Sequence, residues 1–334
     1  MSSSSVTPEL PRSPAPAEEF VNTIGAGAEI DDTSEDGHSD FDDAASDTTS
    51  LASSVLNYEY ENGRRYHSQS RGKYLMPNDE SEQSRLDFTH HIFLLLLQGE
   101  LYSAPVKNPQ RILDLGTGTG IWAMDVAEKF PEAHVIGNDI SPIQPEWVPP
   151  NVEFIVDDFE REWMYSESHF DFIHTRTIAG SVEDWPQLIQ RVFNHIRPGG
   201  YYEAQEGAIW AWSDDGSLKP ESPYMEYLEH LDKAGKISGR ELNIYPHLKQ
   251  WMIDAGFEDV VEKVYLAPLA PWAKDKDLKT LGKYYAAMAQ DAVEAYGLRL
   301  YTQVLGWDTQ KAQVHHALVK KQLRDRAVHA YTKL

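Results

Sequence analysis

The chain contains no cysteine, so it can form no disulfide and offers no thiolate to a metal. Long apolar runs are missing too. The longest, Ile92 to Leu97, is far short of the ~20 residues that a membrane-spanning helix requires. The amino-terminal stretch is poor in bases and has neither the basic segment nor the apolar segment of a secretory signal. Residues 1–57 hold twelve acids and a single base, Arg12. The whole chain carries 53 acids against 30 bases, a net charge of −23. Such a surface repels polyanions, so no nucleic-acid and no membrane partner is expected. Together these features suggest a cytoplasmic or nuclear protein.

What is present divides unevenly. Residues 1–56 are rich in Ser, Pro and acidic clusters and lack the apolar content that would offset ordering entropy. They are expected to form a disordered tail, either solubilising or a phosphorylatable interaction arm. Residues 57–334 are expected to form one domain. A loop-like stretch from Tyr58 leads into a helix at about Ser81–Leu97, which closes a segment spanning residues 57–98. In residues 111–206, short apolar strands alternate with periodic helices: Arg111–Leu115, His134–Asn138, Val152–Val156, Phe170–Thr175 and Tyr201–Gln205 read as strands. Trp185, Leu188, Ile189, Val192, Phe193 and Ile196 make the clearest helical stripe, stopped by Pro198-Gly199-Gly200. This alternation predicts an α/β fold, a doubly wound parallel sheet. In residues 207–334, helices are expected over Ser222–Ala234, Pro246–Ala255, Lys276–Tyr296 and Thr309–Ala327, with a sixth strand at Val260–Leu266. Val328–Leu334 alternates like a short last strand.

The stretch Asp114-Leu-Gly116-Thr117-Gly118-Thr-Gly120 follows the first strand and opens a helix. Glycines at this spacing let the backbone approach a ligand, and the helix start presents free N–H groups. A P-loop is excluded because no G-K-[ST] follows. A dinucleotide reading survives on spacing alone, since Gly118-x-Gly120-x-x-Ala123 fits G-x-G-x-x-A. Asp114 argues against it. A carboxylate two residues before the first glycine repels a pyrophosphate and favours a ligand with positive charge, as S-adenosylmethionine has in its ammonium and sulfonium groups. Asp139, 19 residues after Gly120 and followed by Ile140, suits the two ribose hydroxyls. Past the third strand, Asp158 or its neighbour Asp157 suits the adenine amine, with Phe159 against the ring.

With "ILDLGTGTGIWAMDVAEKFP", "GNDISPIQP", "DFE" and "RPGGYYEAQE" in place, the chain resembles the class I methyltransferases. Two further stretches make it similar to the LaeA-like methyltransferases of filamentous fungi. One is Glu61-Asn-Gly-Arg64 with Tyr66-His67. The other is Gly72-x-Tyr74-x-x-Pro77-x-Asp79-Glu80 with Arg85-Leu86-Asp87. The resemblance implies a Rossmann-like seven-stranded sheet of order 3-2-1-4-5-7-6 with the last strand antiparallel. It implies S-adenosyl-L-methionine as cofactor and an upstream segment, at Tyr66 and Tyr74, that closes over it. It also implies one of two roles: a tailoring enzyme of secondary metabolism, or a nuclear regulator working with velvet-type proteins. With the sequence ending at Leu334, the last strand is expected to be short.

Methyl transfer from a sulfonium needs alignment more than it needs an elaborate catalytic apparatus. A base is required only for an acceptor of high pKa, and no metal cluster is expected. A small-molecule acceptor should meet the methyl near the turn after the fourth strand. His174 is a candidate base there and Arg176 a candidate clamp for an acidic acceptor. Glu206 and Trp210, just past the fifth strand, are candidates to line the pocket.

Overall fold

The computed structural model describes residues 20–22, 58–67 and 75–334. The expected disordered tail therefore lies outside the described residues, apart from Phe20, Val21 and Asn22, and so does Tyr74.

The chain enters through a hairpin where the sequence suggested a loop. Strand β1 (Tyr58–Glu61) pairs antiparallel with β2 (Arg64–His67). Asn62 and Gly63 both take positive φ, 52° and 80°. That is the two-residue turn whose twist matches a hairpin, and Asn-Gly is its strongest local signal. Helix α1 (Glu80–Leu96) follows, capped by Asp79, whose side chain accepts the Glu82 N–H.

Five strands then form one parallel sheet: β3 (Arg111–Leu115), β4 (His134–Asp139), β5 (Val152–Val156), β6 (Phe170–Arg176) and β7 (Ile196–Gln205). Their spatial order is β5-β4-β3-β6-β7. Ile112, Leu113 and Leu115 are almost wholly buried, as a strand covered on both faces requires. One face packs on α2 (Ile121–Lys129) through Trp122, Ala123 and Val126. The other packs on α3 (Trp185–His195) through Leu188, Ile189 and Val192, and on Leu248 of α5 (Tyr245–Ala255). Asp184 caps α3 by accepting the Gln187 N–H at 2.9 Å. The helix ends at His195, one residue short of the expected stripe. Ile196 is already extended because Pro198 and Gly199 cannot continue a helix. After β5 the chain crosses to the far side of β3. The crevice above the ends of β3 and β6 is thus the switch point where such sheets bind ligands.

A third layer, α4 (Pro223–Ser238), α6 (Lys276–Arg299) and α7 (Thr309–Leu323), covers this end of the sheet. A π-helical turn at Leu300–Val304 continues α6.

The last strands keep the expected neighbours but not the expected bounds. The sixth strand, β8, spans Leu266–Pro268, not Val260–Leu266. It pairs antiparallel with the last, β9 (Tyr331–Lys333). Tyr265 and Leu334 exchange both backbone hydrogen bonds, at 2.8 and 2.9 Å. The ladder begins where β9 reaches, and Val261 upstream stays exposed. On its other edge, Tyr331 exchanges two backbone bonds with Trp212, and Lys333 O accepts the Ala208 N–H at 2.8 Å. The last strand therefore lies antiparallel between the continuation of the fifth and the sixth, as order 5-7-6 demands. It forms a separate small sheet because the chain bends after Gln205.

Candidate active site

The register of the parallel strands assembles the site. Asp114 stands opposite His174 on β6 and opposite Gly137 on β4. Asp114 is buried; its Oδ1 accepts from His174 Nδ1 at 2.7 Å and its Oδ2 from the Thr117 hydroxyl at 2.6 Å. The carboxylate thus braces the glycine loop from beneath, and its side chain does not line the cleft. His174 is wholly buried and stacks on Trp122 with centroids 3.7 Å apart. It faces the α2 layer and lines neither of the cavities described below.

Above the loop lies a cleft of about 810 Å³, partly open to solvent. Gly116, Gly118, Asp139, Ile140, Asp158 and Phe159 line it, so six of the sequence-predicted cofactor residues come together from three separate loops; Thr117, whose hydroxyl turns to Asp114, and Gly120, packed against Phe154, do not line it. A side chain at Gly116 would run into Ile178, so the ligand-facing backbone there must stay bare. Asp139 accepts N–H groups from Gly118 and Ser141, each at 2.8 Å. Burial pushes its pKa up to about 6. Asp158 accepts the Glu160 N–H at 3.0 Å; it lines the cleft together with the more exposed Asp157, whose side chain accepts the Asp158 N–H at 2.8 Å.

Arg176 lines this cleft, not the acceptor side. Its Nη2 donates to His90 Nδ1 at 3.1 Å, and His90 Nε2 in turn reaches Asp125 Oδ2 at 3.0 Å. Burial lowers the Arg176 pKa to about 10. It makes no ion pair with a carboxylate among the described residues, so its charge remains available to a ligand.

Sequence reasoning did not assign the contribution of α1. Arg85 and Leu86 both line the cleft, and Asp87 accepts the Thr119 hydroxyl at 2.9 Å. The Arg-Leu-Asp motif thus holds the helix against the glycine loop. Tyr66 does not close over the cleft. It is buried beneath Arg299, whose guanidinium lies 3.4 Å from the ring centroid, and burial pushes its pKa to about 12. Arg64 grips Asp79 with bonds of 2.6 and 2.9 Å, and Glu61 accepts from Arg299 at 2.9 Å. The Glu-Asn-Gly-Arg motif is therefore a staple between α1 and α6.

A second, larger cavity of about 1030 Å³ adjoins the first; Arg85, Thr177, Ala179 and Tyr296 line both. Thr177 takes φ 50°, a strained choice for a β-branched residue at the junction. Glu206 lines this cavity, is buried, and accepts the Ile178 N–H at 2.8 Å. Trp210 packs into the neighbouring core and does not line it.

The cleft offers bare backbone, a carboxylate suited to vicinal hydroxyls, an apolar slot beside an acidic residue, and an unmatched guanidinium. These fit the ribose, adenine and amino-acid parts of S-adenosylmethionine. A methyltransferase-domain family model matches residues 88–262. The chain belongs to this methyltransferase family. It is 41% identical to methyltransferase pytC of Aspergillus terreus over 290 residues, covering 86% of this chain and 89% of that one. It is 38% identical to the secondary metabolism regulator LAE1 of Cochliobolus heterostrophus, covering 82% and 92%. To the protein-methionine methyltransferase laeA of Emericella nidulans it is 36% identical, covering 82% and 74%. The chain is a LaeA-like, S-adenosylmethionine-dependent methyltransferase. No helix among the described residues is long and apolar enough to cross a membrane.

Proposed function

We propose that this methyltransferase acts on a small molecule held in the tyrosine-lined cavity, in a secondary-metabolite pathway. The observation that carries the reading is the junction of the two spaces at Arg85, Thr177, Ala179 and Tyr296. The cavity between α4 and α6 is lined mainly by aliphatic and aromatic side chains, the character of a small-ligand site.

In this reading Asp139 accepts from the ribose hydroxyls, Asp158 and Phe159 hold the adenine, and Arg176 pairs with the α-carboxylate of the cofactor. The bound cofactor supplies an activated methyl on a positively charged sulfur. The chain's own residues orient the donor, exclude water and place the acceptor. A second reading is a regulator acting with velvet-type partners in the nucleus with little small-molecule turnover; the 38% identity to LAE1 favours it.

The two readings separate when the protein is incubated with methyl-labelled S-adenosylmethionine and a fungal extract. Label should appear in the organic-soluble metabolite fraction. Label confined to protein would contradict the small-molecule reading.

A further inference from the structure

Glu206 stands beside the passage between the two spaces. Its Oε1 accepts the Ile178 N–H at 2.8 Å and its Oε2 lies 3.4 Å from the Ala179 nitrogen, and the turn carrying those groups lines both cavities. The second contact is long, which leaves Oε2 with accepting capacity toward the cavity. The surrounding wall is aliphatic and aromatic: Leu228, Leu231, Met288, Tyr224, Tyr285 and Tyr296. The Tyr224 and Tyr285 hydroxyls make no hydrogen bond among the described residues. Arg85, the cation on this wall among the described residues, is already held by both oxygens of Glu82 at 2.6 and 2.9 Å. An anionic acceptor would meet a carboxyl with no unmatched cation to balance it. A permanent cation would be desolvated against a carboxyl that burial raises to about 8 and so keeps largely neutral at pH 7.

We propose that the cavity takes a flat, uncharged aromatic or enolic compound bearing a hydroxyl, and that Glu206 is the base that removes the hydroxyl proton as the oxygen is methylated. This rests on the methyltransferase reading of the adjoining cleft. The bookkeeping closes within the site. The acceptor O–H bond breaks and its proton goes to Glu206 in its ionised form, the fraction that grows as pH rises through about 8. The oxygen forms a bond to the methyl carbon, and the carbon–sulfur bond breaks with its electron pair retained on sulfur, which leaves as a neutral thioether.

The test uses the full chain saturated with S-adenosylhomocysteine and three probes of one shape: 2-naphthol, 2-naphthalenesulfonate and 2-naphthylmethylammonium. Calorimetry should show naphthol binding at least about tenfold tighter than either charged probe. Its affinity should rise as pH passes through about 8, where the carboxylate forms and accepts the hydroxyl. Glu206→Gln, which keeps an acceptor for the Ile178 N–H, should retain S-adenosylhomocysteine affinity and lose that rise. A charged probe that binds as well as naphthol, or an unchanged pH profile in Glu206→Gln, overturns the proposal. Should Glu206→Gln fail to fold, Ala292→Phe decides: it fills the cavity and should abolish naphthol binding alone, and naphthol binding that persists counts against the proposal. Wild-type protein that ignores S-adenosylhomocysteine contradicts the cleft assignment instead.

Discussion

Asp139 accepts backbone N–H groups from the glycine loop and from the turn after β4, and it still faces the cleft. Removing it loosens the loop and deletes the proposed ribose acceptor together. Asp139→Ala should weaken S-adenosylmethionine binding by ~10-fold or more, the worth of a charged hydrogen-bond pair. Equal affinity in calorimetry would reduce Asp139 to a turn residue. Its folded pKa, raised to about 6 by burial, sets the pH dependence. The raised value means that folding favours the protonated form. The stability this contributes is complete below the ordinary carboxylate pKa and is lost as pH rises through about 6. Cofactor affinity runs the other way, because ribose hydroxyls donate to the ionised form. It should fall below about pH 6, and Asp139→Asn should flatten that dependence.

At the scale of elements, the buried parallel strands were legible because they read as continuous apolar runs between turn residues. β3 and β5 match their expected bounds. The hairpin was missed although Asn62-Gly63 announces it; Tyr58 and Tyr60 alternate with Glu59 and Glu61 on β1, but Arg64-Arg65-Tyr66-His67 on β2 has no matching alternation to reinforce the signal. β8 slipped because a three-residue strand is defined by its partner and not by its own sequence. The segment at Phe20 to Asn22 escaped for the same reason. Phe20 bridges Val264, Val21 N donates to Val264 O at 2.9 Å, and Asn22 exchanges side-chain bonds with Leu266 at 2.6 and 2.9 Å. Lys333 lies 5.3 Å from the Phe20 ring centroid. The composition of residues 1–56 suggested a disordered tail; these contacts revise that expectation for Phe20 to Asn22. At ~1 kcal/mol per hydrogen bond, deleting residues 1–22 should lower the melting temperature by a few degrees. Asn22→Ala should reproduce part of the loss, and cofactor affinity should hold. A melting temperature unchanged in both variants would show that the docking contributes nothing in solution.

Across the whole molecule, the cofactor cleft and the acceptor cavity differ in how far the sequence disclosed them. The residues proposed for the cofactor sit at strand ends with fixed spacing, so the gathering of Asp139, Ile140 and Phe159 on one cleft could be anticipated without coordinates. Which way each side chain points could not. Asp114 and His174 turn into the α2 layer, and Arg176, two residues on from His174 along the same strand, reaches the cleft. The acceptor cavity draws on Arg85, Glu206, Tyr224 and Tyr285, which lie far apart in the chain and share no local pattern. The central claim is that donor and acceptor occupy adjoining spaces joined at Thr177. A crystal structure with S-adenosylhomocysteine tests it most directly. The account predicts ribose hydroxyls on Asp139, adenine beside Phe159 and the carboxylate on Arg176, with the tyrosine-lined cavity left open. Density for the ligand inside that cavity, or a ribose remote from Asp139, would contradict it.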